Sequence, residues 1–289
     1  MAFRQRSGSL GTLRSESLIW VGVAALATGC GSSPPSPDGG LRFDVPTAPG
    51  AVYTTGDSLA ISVDSPMGAM TLNMDSRMTL DLAFARAQEG VQISAQVTDF
   101  DASMNNPMTG RISADENDVE GPLVFVLKPN GDVSVDATPS MSGVGEQLRP
   151  FQALPYDMFP RLPGRVVPQG QSWVDTVAWN GGPDGGAFAS STVYTYTLAG
   201  DTTVAGVSLL KISVAGDTSL EGSMETGGFA IEQSLSGTTA GFYLWDPVAS
   251  LVHSAELNRD LEGSLRVPSM NLPAMPIRAQ GPFKTQIQN

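Results

Sequence analysis

The sequence of 289 residues is poor in the side chains that build most metal sites and nucleophilic enzyme centres, since it has one Cys and one His. A single Cys forms no internal disulfide, and zinc sites built from Cys or His need several such ligands. Charged residues make up only 16% of the chain, and 16 Lys and Arg stand against 29 Asp and Glu. Because an acidic surface repels phosphate backbones, we expect no nucleic-acid partner.

Long helices and membrane-spanning runs are also missing from the sequence. The chain has 32 Gly and 21 Pro, and both residue types interrupt helices. The uncharged, mostly apolar run at residues 18–27 is much shorter than the ~20 residues that a transmembrane helix needs. Hydrophobic residues nevertheless reach 41%, which excludes a disordered acidic chain and leaves enough apolar surface for a core.

The amino terminus has the pattern of an export signal. Three arginines lie within the first 14 residues, and the apolar run 18–27 follows them. The run ends at Ala27-Thr28-Gly29-Cys30, which resembles the lipobox of bacterial lipoproteins, where small residues precede a Cys that is acylated before cleavage. The resemblance implies a lipoprotein signal peptide at residues 1–29 and lipidation at Cys30. An ordinary cleaved signal whose end happens to contain a Cys is the alternative.

Residues 30–44 are expected to form a flexible tether between the acylated Cys and the folded domain. The part from Gly31 to Gly40 contains only Gly, Ser, Pro and Asp, a composition that favours an extended, solvated chain. Gly31 occupies the position where an Asp marks retention in the inner membrane of some Gram-negative bacteria. By that analogy we expect an outer-membrane location, with the membrane as a partner through the acyl chains alone.

From about residue 50 onward, apolar and polar side chains alternate with period two. One example is the even-numbered apolar series from Met70 to Phe84. Such alternation is typical of antiparallel strands with one face on a core. About thirteen candidate strands can be recognised, and sheets of more than ~10 strands curl or close. We therefore predict an all-β fold for residues 45–289, a single domain built as a large antiparallel meander curled into a half-barrel or barrel. A two-sheet sandwich is the alternative.

Turn signals subdivide this region. Asn130-Gly131 lies between two apolar runs and predicts a tight hairpin, since both residues accept positive φ. The segment 199–206 recurs in similar form at 215–222, which predicts two successive units of strand plus turn.

The segment 143–168 interrupts the strand pattern. We expect a short helix over 143–152, ended by Pro150, and irregular chain beyond it, because Pro155 and three further prolines follow. Leu154 and its apolar neighbours are too hydrophobic for a free linker. This crossover is therefore expected to pack over a sheet face or to plug one end of the barrel.

Four segments between residues 160 and 260, the first of them within the crossover, stand out: Leu162-Pro163, Val167–Trp173, Tyr194–Leu198 and Gly241–Asp246. Together they resemble a family of uncharacterised bacterial lipoproteins, a domain of unknown function. The resemblance implies an exported, β-rich lipoprotein and no particular activity. The expected architecture is also similar to that of periplasmic lipoprotein carriers, whose half-barrels hold acyl chains in an apolar concavity.

Two adjacent strands carry the most informative aromatic side chains. Trp173, Asp175 and Trp179 share a face of one strand, and Tyr194 and Tyr196 share a face of the next. This face is interpreted either as core formed by the strands that follow the crossover or as a surface that binds an apolar ligand. Asp175 would be costly in a dry core, which favours a wet cleft or rim at this point.

No catalytic, metal or cofactor site is predicted. The only His, His253, lies on an apolar strand with Leu251 and Leu257 and is interpreted as a core residue. Ser172 lacks the second glycine of a nucleophile elbow. The acidic segment 115–120 does not have the spacing of an EF-hand loop, so a structural cation there is only a lesser alternative.

These patterns predict a non-catalytic, lipid-anchored protein of the cell envelope that binds an apolar small molecule or a segment of a partner protein. The alternative is a structural or assembly subunit of an envelope complex, which would pair through a sheet edge or an acidic surface. A carboxylate-based hydrolase ranks third, because two Asp or Glu side chains at the right separation suffice for glycoside cleavage.

Overall fold

The computed structural model describes residues 40–65, 68–106, 110–141, 151–181, 187–226, 229–270 and 273–288. The signal peptide predicted at 1–29, Cys30 and most of the tether predicted at 30–44 lie outside these residues. Strands make up 73% of the structure.

The strands are β1 (Gly50–Ser65), β2 (Gly68–Arg86), β3 (Val91–Asn106), β4 (Gly110–Asp115), β5 (Val119–Glu120), β6 (Leu123–Leu127), β7 (Val133–Ala137), β8 (Ser140–Met141), β9 (Ser172–Gly181), β10 (Ala187–Val204), β11 (Val207–Thr226), β12 (Phe229–Asp246), β13 (Leu251–Arg266) and β14 (Met275–Ile287). The one α-helix of the described residues is α1 (Leu154–Met158), and single 3₁₀ turns occur at Glu116–Asp118, Phe151–Ala153 and Pro268–Met270.

Eleven strands form one antiparallel sheet in the order β7-β6-β3-β2-β1-β14-β13-β12-β11-β10-β9, with β4 paired to β3 and a separate small pair β5-β8. The sheet curls through 268° into a half-barrel. The predicted all-β meander curled into a half-barrel is therefore confirmed, and the two-sheet alternative is wrong. Pairing of β1 with β14 joins the strands before the crossover to those after it in one continuous sheet.

The alternation seen in the sequence places apolar side chains on the concave face. On β2, Met78, Leu80 and Leu82 are buried, whereas the series from Met70 to Met74 at the other end of the same face is half-buried. The opposite, convex face is polar, and on β13 it carries the alternate positions from Glu256 to Glu262. The concave face therefore holds the core, and its apolar side chains are more deeply buried at one end of the strands than at the other.

Glycines on the concave face allow the strong curl. A Cβ built on Gly237, Gly241, Gly263 or Gly281 would overlap a backbone oxygen of the neighbouring strand. For Gly281 that oxygen belongs to Ser58. Because glycine has no Cβ, β12, β13 and β14 approach their neighbours at an angle that a side chain would prevent.

The repeated segment 199–206 and 215–222 does not form two turns. Ala205 and Gly206 both have positive φ and close the two-residue hairpin between β10 and β11, as its first copy predicts. The second copy lies inside β11, which pairs with β10 and β12 on both sides, so this part of the prediction is wrong. Gly216 and Gly222 in that copy leave space for the rings of Tyr194 and Phe188, which pack where a Cβ would stand.

The crossover covers one end of the concave face. Most of the helix predicted over 143–152 falls outside the described residues, and the structure places α1 later, at Leu154–Met158. The expectation that Pro155 would preclude regular structure is wrong, because this proline sits in the first turn, where its missing N–H is not needed. The buried side chains of the crossover include Phe151, Leu154, Met158, Phe159 and Leu162. They join the core of the sheet, which confirms the predicted packing over the sheet face.

The crossover is fixed to the hairpin between β6 and β7. The predicted Asn130-Gly131 turn is present, and the backbone N–H of Leu162 donates to the carbonyl of Asn130 at 2.8 Å. Arg161, whose side chain is buried, forms an ion pair with Asp132 at 2.6 Å. Gly131 has a φ of +82°, and a Cβ at this position would overlap the carbonyl oxygen of Pro160.

We expect Gly131→Ala to lower the free energy of unfolding by about 2–4 kcal/mol, since it adds backbone strain to a clash with the docked crossover. Gly206→Ala is the matched control, because Gly206 has a similar φ of +84° but no atom within 4 Å of its Cβ position. Urea denaturation of both variants measures the difference. Equal losses would show that the crossover does not depend on this contact.

Candidate functional site on the concave face

Two apolar clusters lie on the concave face. The closed half is the larger cluster, which the crossover covers and which includes Tyr53, Leu257 and Phe283. The open half is the cluster nearer the hairpin between β1 and β2, with the buried residues Val63, Leu235, Leu261, Met275, Ile277 and Ala279. Around it the apolar residues Leu59, Ile61, Leu72, Leu220 and Leu265 are only half-buried. The open half is thus an apolar concave surface that the described residues only partly shield from solvent.

A row of directly opposed residues crosses the sheet between the two halves. Its members are Asp175 on β9, Tyr194 on β10, Gly216 on β11, Thr239 on β12, Arg259 on β13 and Gly281 on β14. On β13, Leu257 before Arg259 belongs to the closed half, and Leu261 after it belongs to the open half. We call this line of side chains the polar row, and it forms the boundary between the two apolar clusters.

Arg259, a member of the polar row, is the centre of an ion cluster. Its Nη1 lies 3.2 Å from Oδ1 of Asp57 on β1, and its Nη2 lies 2.6 Å from Oδ2 of Asp157 on α1. All three side chains are at most about a quarter exposed, with fractions of 18% for Arg259, 26% for Asp57 and 23% for Asp157. Burial disfavours the charge of Arg259, but the carboxylates of Asp157 and Asp57 outweigh it and raise the pKa of the guanidinium.

Buried hydroxyl groups lie beside the polar row, in the next line of opposed residues on the side of the open half. Thr218 lies within hydrogen-bond distance of Thr192 at 3.0 Å and of Thr239 at 2.8 Å, and all three are buried. Burial raises the pKa of Tyr194, so its hydroxyl stays protonated near neutral pH and can donate a hydrogen bond. The row therefore offers both donors and acceptors beside the apolar surface.

The structure brings together four of the five residues that the sequence pointed to, whereas Trp179 lies four residues beyond Asp175 on β9. Trp173 opposes Tyr196, and their rings stack with centroids 5.5 Å apart and planes 10° apart. The indole N–H of Trp173 donates to the carbonyl of Arg161 at 3.0 Å. Tyr194 lies beside Tyr196 at 5.5 Å. Trp173, Tyr194 and Tyr196 are buried in the core, which agrees with the interpretation of this face as core.

Asp175 and Trp179 differ from the other three because they are only half-buried on the edge strand β9. Asp175 opposes Tyr194, and its Oδ1 accepts the backbone N–H of Thr176 at 2.7 Å. Trp179 opposes the half-buried Ser190. These two side chains are therefore the ones at the rim of the concave face, and a role in ligand binding remains a prediction for all five.

Sequence reasoning missed the ion cluster of Arg259, Asp57 and Asp157. One signal was present, because Arg259 falls in phase with the apolar series of Leu257 and Leu261 and so had to face the core. Asp157 carried no such signal, since it reaches the cluster only through the packing of the crossover.

The other chemical groups considered in the sequence have structural roles. The Ser172 hydroxyl lies 2.8 Å from that of Thr197, and His253 is buried. In the acidic segment 115–120, Asp115 accepts the N–H of Asn117 and Asp118 accepts the N–H of Asp115, which caps the 3₁₀ turn. No group of three metal-ligating side chains occurs in the described ranges.

No helix of the described chain is long and apolar enough to cross a bilayer. No family model matches the chain, and no curated protein matches it. Among solved structures it is similar to Neisserial surface protein A, with 8% identity, a TM-score of 0.24 and coverage of 83% of this chain and 99% of that one. It is also similar to the hypothetical lipoprotein YmcC from Escherichia coli, with 13% identity, a TM-score of 0.23 and coverage of 79% and 83%. At such TM-scores neither likeness carries an argument about function.

Proposed function

We propose that the protein is a non-catalytic lipoprotein of the cell envelope, anchored through acyl chains on Cys30, whose half-barrel binds an amphipathic small molecule in the open half. The observation that carries this proposal is the apolar surface around Leu235 and Leu261, partly covered and bordered directly by the polar row. Ligand sites of this kind combine an apolar lining with a few polar groups that orient the ligand.

The apolar part of the ligand would lie along β13, β14 and β1. Their concave side chains in the open half are aliphatic or Met, and the half-buried ones still expose apolar surface that a ligand would remove from water. Each Å² of apolar area that a ligand removes from water contributes about 25 cal/mol. An alkyl chain fits this surface better than a planar aromatic molecule, because aromatic rings are concentrated in the closed half.

The polar part of the ligand would meet the polar row, whose charges disfavour an anion. Arg259 is already held by Asp57 and Asp157, and Asp175 adds a third carboxylate at the rim. The polar row and the two carboxylates that contact Arg259 therefore carry an excess of negative charge together, beside hydroxyl groups. A cationic or uncharged hydroxyl-bearing head group is favoured over a phosphate or carboxylate.

A matched series of twelve-carbon amphiphiles tests this proposal. We expect dodecyltrimethylammonium and dodecyl maltoside, each below its micelle concentration, to bind residues 31–289 at least about tenfold more tightly than lauric acid, which corresponds to ~1.4 kcal/mol. Calorimetry measures the affinities. Leu220→Gln on the concave face should weaken binding, whereas Val193→Gln on the exposed convex face should not. Absence of binding by all three amphiphiles would contradict the proposal.

Anchoring is tested by Cys30→Ser in the full chain. We expect the wild type to sediment with membranes and to partition into detergent, and the variant to lose palmitate labelling, because it lacks the thiol to which the lipid is attached. Labelling that persists in the variant would show that Cys30 is not the lipidated residue.

A second candidate function, assembly through a sheet edge, is favoured by strand β9. Within the described residues β9 pairs only with β10, and among these residues no strand pairs with its other edge, which is the kind of edge that a strand of a partner protein can extend. Val174 on its convex face is 65% exposed, and Val193 on β10 is 48% exposed. Val174→Lys should abolish co-purification of an envelope partner under this candidate and leave amphiphile binding intact.

A further inference from the structure

The closed half contains a group of buried polar atoms that the fold does not satisfy. Thr55 Oγ1, Thr285 Oγ1, Trp245 Nε1 and both ring nitrogens of His253 have no hydrogen-bond partner among the described residues. The four residues are between 0% and 6% exposed, so bulk water does not solvate these atoms. Native proteins rarely leave such atoms unpaired, and an ordered water is the usual partner.

The strand register gathers three of these residues in one place. Thr55 on β1 lies directly opposite Thr285 on β14, which places their Cβ atoms about 5 Å apart. Thr285 in turn lies opposite Ala255 on β13, two residues from His253. The three polar side chains therefore come from three adjacent strands of the closed half, with Thr55 and Thr285 directly opposed and His253 two residues further along β13.

A shift in register between β12 and β13 positions the histidine. Leu244 pairs with Ser254 and Trp245 pairs with Val252, so His253 has no partner residue on β12. Leu251, Val252 and His253 are consecutive and all buried, which a regular strand with alternating faces does not allow. The Tyr53 hydroxyl donates to the carbonyl of Val252 at 2.6 Å and fixes the backbone at this irregularity. Register shifts of this kind often redirect a side chain toward a functional position.

The chemistry of these groups matches a small uncharged molecule. Each Thr hydroxyl donates one hydrogen bond and accepts others, and a neutral imidazole offers one donor and one acceptor. A water molecule has two donors and two acceptors and typically makes about three hydrogen bonds when buried. We infer that the closed half holds an internal water site, in which one or more long-lived water molecules bind between Thr55, Thr285 and His253.

The test compares the mature full chain with the double variant Thr55→Val/Thr285→Val, which keeps the side-chain shape and removes both hydroxyls. Oxygen-17 magnetic relaxation dispersion counts water molecules that stay bound for longer than nanoseconds. We expect the wild type to hold at least one more such water than the double variant. The control Thr195→Val, on the exposed convex face of β10, should leave the count unchanged. An equal count in wild type and double variant would overturn the inference.

Thermal unfolding of the same proteins gives a second readout, because a hydrated site and a dry site predict opposite changes of Tm in the double variant. If water satisfies the hydroxyls, the double variant loses hydrogen bonds and its Tm falls. If the site is dry, removal of two unsatisfied hydroxyls raises the Tm, and the inference is wrong.

Should the double variant not fold, a crystal structure of the wild type decides the question. Density for a water within hydrogen-bond distance of Thr55, Thr285 or His253 supports the site, and its absence, or density for a larger molecule, contradicts it.

Discussion

Replacement of Arg259 by Met should lower the free energy of unfolding by about 3–5 kcal/mol. The substitution leaves the carboxylates of Asp57 and Asp157 mostly buried with no cation between them. Because Asp157 belongs to α1, loss of the guanidinium also removes one of the contacts that hold the crossover on the concave face. Chemical denaturation followed by tryptophan fluorescence measures the change, since Trp173 reports on the crossover through its bond to Arg161.

Arg278→Met is the matched control for this prediction. Arg278 pairs with Asp260 at 3.0 Å in a similar geometry, but both side chains are about half exposed on the convex face. Solvent screens such a pair, so its loss should leave stability nearly unchanged. The triple variant Asp57→Asn/Asp157→Asn/Arg259→Met should recover part of the lost stability, because it removes the uncompensated charges. Equal effects of Arg259→Met and Arg278→Met would contradict the structural role given to the ion cluster.

Substitution of Gly281 by Ala should destabilise the half-barrel by at least about 2 kcal/mol. Its Cβ would overlap the backbone oxygen of Ser58, and backbone cannot move aside as a flexible side chain can. The strands β1 and β14 would have to separate at the point where the sheet curls. Since Ala is otherwise preferred over Gly in a strand, the predicted sign is opposite to that of intrinsic propensity.

Gly56→Ala on the same pair of strands provides the control. Its Cβ would lie 3.7 Å from the carbonyl oxygen of Ser76, an ordinary contact. We therefore expect Gly56→Ala to be neutral or slightly stabilising in thermal or urea unfolding. A neutral Gly281→Ala would show that the curl does not depend on the concave glycines.

The fold was largely predictable because it depends on a local pattern. The alternation from Met70 to Phe84 specifies a face, and a one-residue slip would expose the whole series, so the register follows from the pattern. The Asn130-Gly131 turn was equally accessible, because its backbone has positive φ at Gly131, which tolerates it. The composition of 199–206 and 215–222 misled for a related reason. Glycine marks a turn in the first copy and makes room for Tyr194 from inside β11 in the second.

The candidate site was only partly predictable, because it depends on distant contacts. Trp173 and Tyr196 could be placed together from neighbouring strands alone, and Asp175 was noticed because a carboxylate is costly in a core. Arg259 and Asp57 meet only when β13, β14 and β1 are adjacent, which no local pattern reveals. The proline-rich crossover gave no signal that Asp157 would complete the cluster.

The two halves of the concave face suggest a division of roles. The crossover, the ion cluster and the stacked aromatic rings make the closed half a filled core, which holds the strands in place. The open half uses the same strands beyond the polar row and has less cover. Binding in the open half would therefore require no rearrangement of the closed half, and ligand-induced changes should be confined to residues beyond Arg259.

Native mass spectrometry of the protein extracted from its own cell envelope tests the proposed anchored, ligand-binding half-barrel most directly. We predict a mass that corresponds to acylation at Cys30 after removal of residues 1–29, together with an uncharged or cationic amphiphile that dissociates on activation. A chain with a free thiol at Cys30 and no bound molecule would contradict both the anchoring and the binding role.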